Sequence, residues 1–282
     1  MQKLKIYQSL WAMEQRVPGQ PEQPIEEQFG QIAKAGYDGV CLDPGVAEID
    51  KNLALKPLFD RYQLGCMINA FPYTTEELKA LLDMAVSLNA RQVNIIGGVM
   101  PLKPSSAASV VRSWLATALE YPMPVLMETH RNGTLNDLFY TLQVLREVPE
   151  LRLCADLSHF VVDREFPLPM RKQDDQYISE ILERSDSFQG RVSNNEQIQI
   201  AINFPQHKLW LDQYLAWWRQ GMSSWAARNA QTETLRFLVE LGPPPYAITD
   251  GTHQELSDRW QEGLQIKKLV EQIWQDITQP SL

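Results

Sequence analysis

Short apolar runs rich in β-branched residues alternate along the chain with longer segments in which apolar positions recur every three or four residues. The first pattern is that of strands buried on both faces and the second that of amphipathic helices, so their succession predicts βαβ units and a parallel sheet. Eight strands are expected, at 4–11, 37–43, 64–70, 92–97, 124–128, 151–156, 188–193 and 235–240. The helical pattern covers about 25–36, 50–62, 75–89, 105–120, 134–147, 173–184, 207–229 and 254–277. Eight such units with no interrupting linker predict one α/β domain over residues 1–282, a closed (β/α)8 TIM barrel.

Local signals refine this outline. Thr74 or Thr75 and Thr134 stand where helix caps are wanted, and Gly36 and Gly65 where a helix should end in a left-handed residue. The connections at 17–24 and 193–205 are long, and both follow a strand, on the side where barrel enzymes build their sites. Trp210, Tyr214, Trp217 and Trp218 recur at helical spacing, which predicts a packed face.

Composition changes the picture in two ways. Apolar residues make up 44% of the chain, with nine Phe, nine Tyr and eight Trp, enough for a large core. The net charge of −9 and the scattered basic residues argue against nucleic acid as a partner. No run is long enough to span a membrane, and the start MQKLKIYQSLWAMEQ does not read as a secretion signal. Cys41, Cys66 and Cys154 each sit in an apolar run, as buried thiols in a reducing compartment do, so a cytoplasmic protein is expected. A small-molecule substrate is the expected partner, and a homo-oligomer is compatible with the sequence.

The chemistry concentrates at strand ends. Glu128 ends VLME, Asp156 ends LCAD and Glu240 ends FLVE, each between an apolar run and a loop. A strand end in a closed barrel is a poor place for a charge unless a cation or a hydrogen-bond network compensates it. Each acid taken singly suits a helix cap or a surface charge. Their shared placement instead predicts a divalent metal site, with oxygen ligands suited to Mg or Mn, and Co or Zn if nitrogen joins. His130, Arg131 and Arg191 lie nearby in sequence. The two arginines could clamp a carboxylate or phosphate of a substrate, or serve as partners of the buried acids. His207 and His253 fall at expected helix starts and read as caps or surface residues.

The segments METHRNG at 127–133, DLSHF at 156–160, QGRV at 189–192 and ELGPPPY at 240–246 resemble the xylose isomerase-like TIM barrels. That family includes sugar phosphate isomerases and epimerases of the tagatose and psicose 3-epimerase type, and relatives among apurinic-site endonucleases. The resemblance implies Glu128, Asp156 and Glu240 as metal ligands, with His159 contacting a substrate oxygen. The remaining ligand position, usually a histidine in an HxRV segment, is here Gln189. Its amide oxygen can ligate a hard cation but lacks the nitrogen favoured by later transition metals, which turns the preference towards Mg or Mn. The resemblance also implies Glu128 and Glu240 as an acid/base pair that moves a proton through an enediolate, giving epimerisation or isomerisation of a sugar, polyol or hydroxy-carbonyl compound. Gln189 motivates an alternative, a barrel that binds metal or sugar with weakened catalysis. An apurinic-site endonuclease-like phosphodiesterase is opposed by the presence of only four histidines and by the negative charge.

Overall fold

In the computed structural model, which describes residues 1–279, eight parallel strands close into a barrel in chain order. The strands are β1 Lys3–Ser9, β2 Gly39–Leu42, β3 Gly65–Ala70, β4 Ala90–Ile95, β5 Val125–Glu128, β6 Leu153–Ala155, β7 Ser185–Gln189 and β8 Thr234–Val239. Closure runs through β1 and β8, in register from Lys3 opposite Thr234 to Gln8 opposite Val239. Around the barrel lie α1 Ile25–Lys34, α2 Ile49–Leu53, α3 Lys56–Tyr62, α4 Glu77–Ser87, α5 Pro104–Ala118, α6 Leu138–Glu147, α7 Leu157–Asp163, α8 Lys172–Glu183, α9 Lys208–Arg228 and α10 Arg259–Thr278. The expected TIM barrel is therefore present.

Alternate strand residues divide between two clusters, as the period of a strand requires. The larger, holding Ile6, Val40, Ile68, Ile95, Phe188 and Val239, packs the strands against the helices. The smaller, Tyr7, Cys41, Met67 and Leu238, fills the barrel interior. Room for Tyr7 is made by Gly39, where a Cβ would stand 2.3 Å from the tyrosine ring. Two residues beyond this interior layer the same inward series reaches Asp43, Asn69 and Glu240, so the alternation itself delivers polar side chains to the top of the barrel.

Several local expectations are corrected. The seventh strand begins at Ser185 rather than near residue 188. Its first three residues, SDS, look polar, but Ser185 Oγ donates to Ile181 O at 2.8 Å and Ser187 Oγ to Arg236 O at 2.8 Å, which makes burial of the hydroxyls tolerable. The single helix expected at 50–62 is two, α2 and α3, because Pro57 cannot donate to the carbonyl of Leu53. Thr134 is not a cap: its hydroxyl donates to Gly97 O and Val99 O, and Asp137 caps α6 by accepting from Tyr140 N at 2.9 Å. Gly36 is left-handed as expected, at φ 72°, but the second left-handed residue is Gln63 at φ 54°, not Gly65. His207 is buried, with Nδ1 2.7 Å from Ala201 O, whereas His253 is exposed.

The aromatic stripe of α9 packs as predicted, with Tyr214, Trp217 and Trp218 wholly buried and Trp210 partly so. The three cysteines are free and buried. Among the described residues no helix is long and apolar enough to cross a membrane.

Candidate active site

The ends of β5 to β8 bring Glu128, Asp156, Gln189, Arg191 and Glu240 into one closed bowl. Each of these residues is 6% exposed or less. One carboxylate oxygen from each of Glu128, Asp156 and Glu240 lies within 4.8 Å of the others. Three sequence-selected acids spread over more than a hundred residues of chain, from 128 to 240, thus converge.

Asp156 is the N-cap of α7, a short helix that the sequence did not announce. Its Oδ1 accepts from Ser158 N at 2.9 Å and from Ser158 Oγ at 2.5 Å. Thr129 Oγ1 donates to the Asp156 carbonyl at 2.9 Å, which ties the ends of β5 and β6 together. Capping therefore consumes one oxygen and aims the other into the bowl. That second oxygen, Oδ2, lies 3.4 Å from both His159 Nε2 and Arg191 Nε. Asp156 is thus a helix cap that also turns a free carboxylate oxygen into the bowl.

Arg191 is buried among the acids, with Nη2 3.4 Å from Glu240 Oε1. Burial opposes its charge, but Asp156 and Glu240 more than offset this and hold the guanidinium firmly protonated. The aromatic rings of Tyr246 and Trp11 flank it at 4.8 Å and 5.8 Å. Arg131, by contrast, is exposed and stands 5.8 Å from the Tyr246 ring at the rim. The two arginines thus have different surroundings, which the sequence did not separate.

One guanidinium does not balance the carboxylates. Burial first, then Glu240 and Asp156, push the Glu128 carboxyl well above its ordinary range. Burial pushes Glu240 up to about 7 even though Arg191 pulls the other way. Asp156 is raised by burial too, with Arg191 and Ser158 opposing. The imidazoles are held neutral: burial and the arginines push His130 down to about 4, and burial with His130 pushes His159 well below the usual value. Their rings lie 4.1 Å apart, tilted by 50°, beside Glu128.

Hydrogen bonding within the bowl is incomplete. Glu128 Oε2, Asp156 Oδ2, Glu240 Oε2, both amide atoms of Gln189 and both ring nitrogens of His159 are buried without a hydrogen-bond partner. Buried polar atoms are rarely left so, and a cluster of them marks a place for a ligand. Three converging carboxylate oxygens and a free amide oxygen make a hard donor set, which suits a divalent cation such as Mg or Mn.

The sequence reading missed Asp43. It ends VCLD by the same rule that selected VLME, LCAD and FLVE, so the signal was present. Asn69 Nδ2 donates to its Oδ1 at 2.9 Å, and its Oδ2 is buried and unpartnered. Burial and Glu240 push this carboxyl well above the ordinary range.

The loops after β1, β7 and β8 pack against one another beside the bowl. Gln199, in the connection after β7, pairs its amide with the backbone of Gly242, at 3.0 Å to the carbonyl and 2.7 Å from the N–H. A Cβ at Gly242 would stand 2.4 Å from the Trp11 ring, so glycine there lets the loops after β1 and β8 pack face to face. Arg259 anchors the loop after β1 by donating to Ala12 O at 2.7 Å and to Glu14 O. An open cleft of about 580 Å³ lies between Gln15 to Glu22 and Pro244, Thr252 and His253.

No protein-family model matches the sequence, and no curated protein matches it. Solved structures do. The D-allulose 3-epimerase from Methylomonas sp., in complex with D-allulose, superimposes with a TM-score of 0.59 at 12% identity over 96% of this chain and 97% of that one. A D-tagatose 3-epimerase-like protein gives 0.58 at 12% identity, over 97% and 100%. A probable 3-DHS dehydratase from Bacillus anthracis gives 0.52 at 12% identity, over 94% and 98%. The chain has the barrel fold of these enzymes over almost its whole length.

Proposed function

We propose that the protein is a metal-dependent isomerase or epimerase of a small hydroxy-carbonyl compound. The observation that carries this reading is the buried pair Glu128 and Glu240, on β5 and just after β8, converging with Asp156 while each retains a free carboxylate oxygen. The fold shared with structures described as sugar 3-epimerases supports the same reading.

Glu128, Asp156, Glu240 and Gln189 would hold the cation. A divalent cation in that place would polarise a substrate carbonyl and its neighbouring hydroxyl and so acidify the C–H between them. The chain's own residues do the rest. Without a cation, burial pushes the Glu240 carboxyl up to about 7, and a bound cation would favour its ionised form, the form a general base needs. Glu240 takes the carbon-bound proton on one face and Glu128 supplies one on the other, which inverts that carbon with no net redox change. Return of the proton to the neighbouring carbon gives isomerisation. His159, neutral and with both nitrogens free, can donate to or accept from a substrate oxygen. Arg191 holds Asp156 and Glu240 in place.

The test is incubation of the Mn-loaded protein with a panel of ketoses in heavy water, followed by proton NMR. Wash-in of deuterium beside the carbonyl is expected, and its loss in Glu128→Gln and Glu240→Gln. No exchange with any ketose would sink the catalytic reading. Arg191 favours one second reading, a binding barrel without turnover, because its guanidinium already partners two of the acids. Ligand binding without exchange would support that reading.

A further inference from the structure

Arg191 shares its bowl with acids and yet does not close on them. Its Nε stands 3.4 Å from Asp156 Oδ2 and its Nη2 3.4 Å from Glu240 Oε1. A charged N–H and a carboxylate free to meet settle at about 2.8 Å. Nε and Nη1 are buried without a hydrogen-bond partner. Opposite charges in a buried site attract strongly, so a gap of this size needs a restraint. The backbone supplies part of it: Gly190 N donates to Leu238 O at 2.6 Å, and Ile200 N donates to Val192 O at 3.0 Å, on either side of Arg191.

A third restraint is a side chain. Ser193, fully buried two residues on, donates from Oγ to Ser158 O at 3.5 Å and lies 2.6 Å from Tyr214 Oη. A serine has one hydroxyl hydrogen, so Tyr214 is the donor of the shorter bond. Ser158, in α7, also supplies both hydrogen bonds to Asp156 Oδ1. The contacts form a closed circuit from Asp156 to Ser158, Ser193, Arg191 and back to Asp156, and Tyr214 tethers it to α9. Tyr214 itself is wholly buried in the aromatic stripe, its ring edge to face with Trp217 at 5.2 Å and Trp218 at 5.7 Å. Phenylalanine would supply the same ring. The hydroxyl is what the stripe does not require, and it is spent on the segment that carries Arg191.

We propose that Tyr214 is a positioning residue of the candidate site: through Ser193 it holds Arg191 short of contact with Asp156 and Glu240, which leaves carboxylate oxygens free for a cation. The inference rests on the proposed metal site and adds to it a residue of the helical layer. Without the Tyr214 hydroxyl the segment relaxes, the guanidinium closes on the acids, and a cation must compete with a formed ion pair.

The experiment titrates Mn into the metal-free protein by calorimetry, with urea unfolding of the same samples. Tyr214→Phe should weaken Mn binding about tenfold, the lower end of the loss that follows removal of a partner behind a metal ligand. Ser193→Ala should do the same, and the double variant should bind no more weakly than either single one, because both break one link. In an Arg191→Met background, Tyr214→Phe should leave Mn affinity within about twofold, since the group it restrains is gone. Should Arg191→Met not fold, the Ser193 cycle decides alone. A merely structural tyrosine lowers the urea midpoint and leaves Mn affinity unchanged, and that result overturns the inference. So do losses that multiply in the double variant, or a Tyr214→Phe loss that persists without Arg191. If the wild type binds Mn and the variants bind it equally well, the proposed function stands alone. If the wild type binds no Mn, both fall together.

Discussion

Glu240 gives the sharpest test of the electrostatics. Its carboxyl is pushed from an ordinary 4.5 up to about 7 in the native state. The native protein therefore holds a proton that the unfolded chain releases, and between those two values stability falls as pH rises. At about 1.4 kcal/mol for each tenfold change in proton affinity, the fall attributable to this one group is about 3 kcal/mol. It is absent below pH 4.5 and complete above pH 7. Glu240→Gln keeps the shape of the side chain and cannot ionise. In a chelator, the variant should match the wild type near pH 4.5 and exceed it by up to about 3 kcal/mol at pH 8, with Glu128 leaving a residual slope in both. Urea titrations followed by the fluorescence of buried Trp217 and Trp218 supply the measurement. Mn at a hundredfold excess over its dissociation constant should close most of this gap at pH 8, since a cation stabilises the ionised carboxylate and adds about 2.7 kcal/mol. Identical pH dependence in wild type and variant would refute the reasoning.

Three further outcomes follow from particular contacts. Arg191→Met strips Asp156 and Glu240 of their buried partner, so the metal-free protein should lose about 3 kcal/mol or more at pH 8 and less at pH 5, where Glu240 is protonated; urea midpoints at the two pH values check this. Gly242→Ala places a methyl 2.4 Å from the Trp11 ring, costs about 1–3 kcal/mol in a thermal melt, and should loosen the loops after β1 and β8 as read by limited proteolysis. Gln189→His adds an imidazole nitrogen to an oxygen set, so affinity for Co and Zn should rise more than affinity for Mg in competition titrations; a uniform change would count against Gln189 as a ligand.

Much of the architecture was legible because each strand buries both faces and each helix one, and those two periods differ. Boundaries failed where local chemistry overrode hydrophobicity. Ser185 and Ser187 hide their hydroxyls in hydrogen bonds to backbone and so extend β7 against its polar look. Pro57 divides a helix whose apolar period is unbroken. Helix α7 escaped notice because seven residues, five of them buried, show no amphipathic stripe. His207 stands at the start of α9 as expected, but its burial escaped notice because its partner, Ala201 O, is a backbone atom in a long loop that carries no pattern.

The sequence by itself determined the barrel and marked Glu128, Asp156 and Glu240, because an acid that closes an apolar strand has few places to go except the mouth of a closed sheet. It marked Asp43 as well, by a signal that went unused. Only the tertiary structure decided that these groups share a single bowl with Arg191 among them, that one Asp156 oxygen is spent on a cap while the other stays free, and that the His130 ring lies against that of His159. The physical reason is that charge and hydrogen-bond balance depend on distances across the barrel. Chain spacing does not encode those distances until the strand register is fixed.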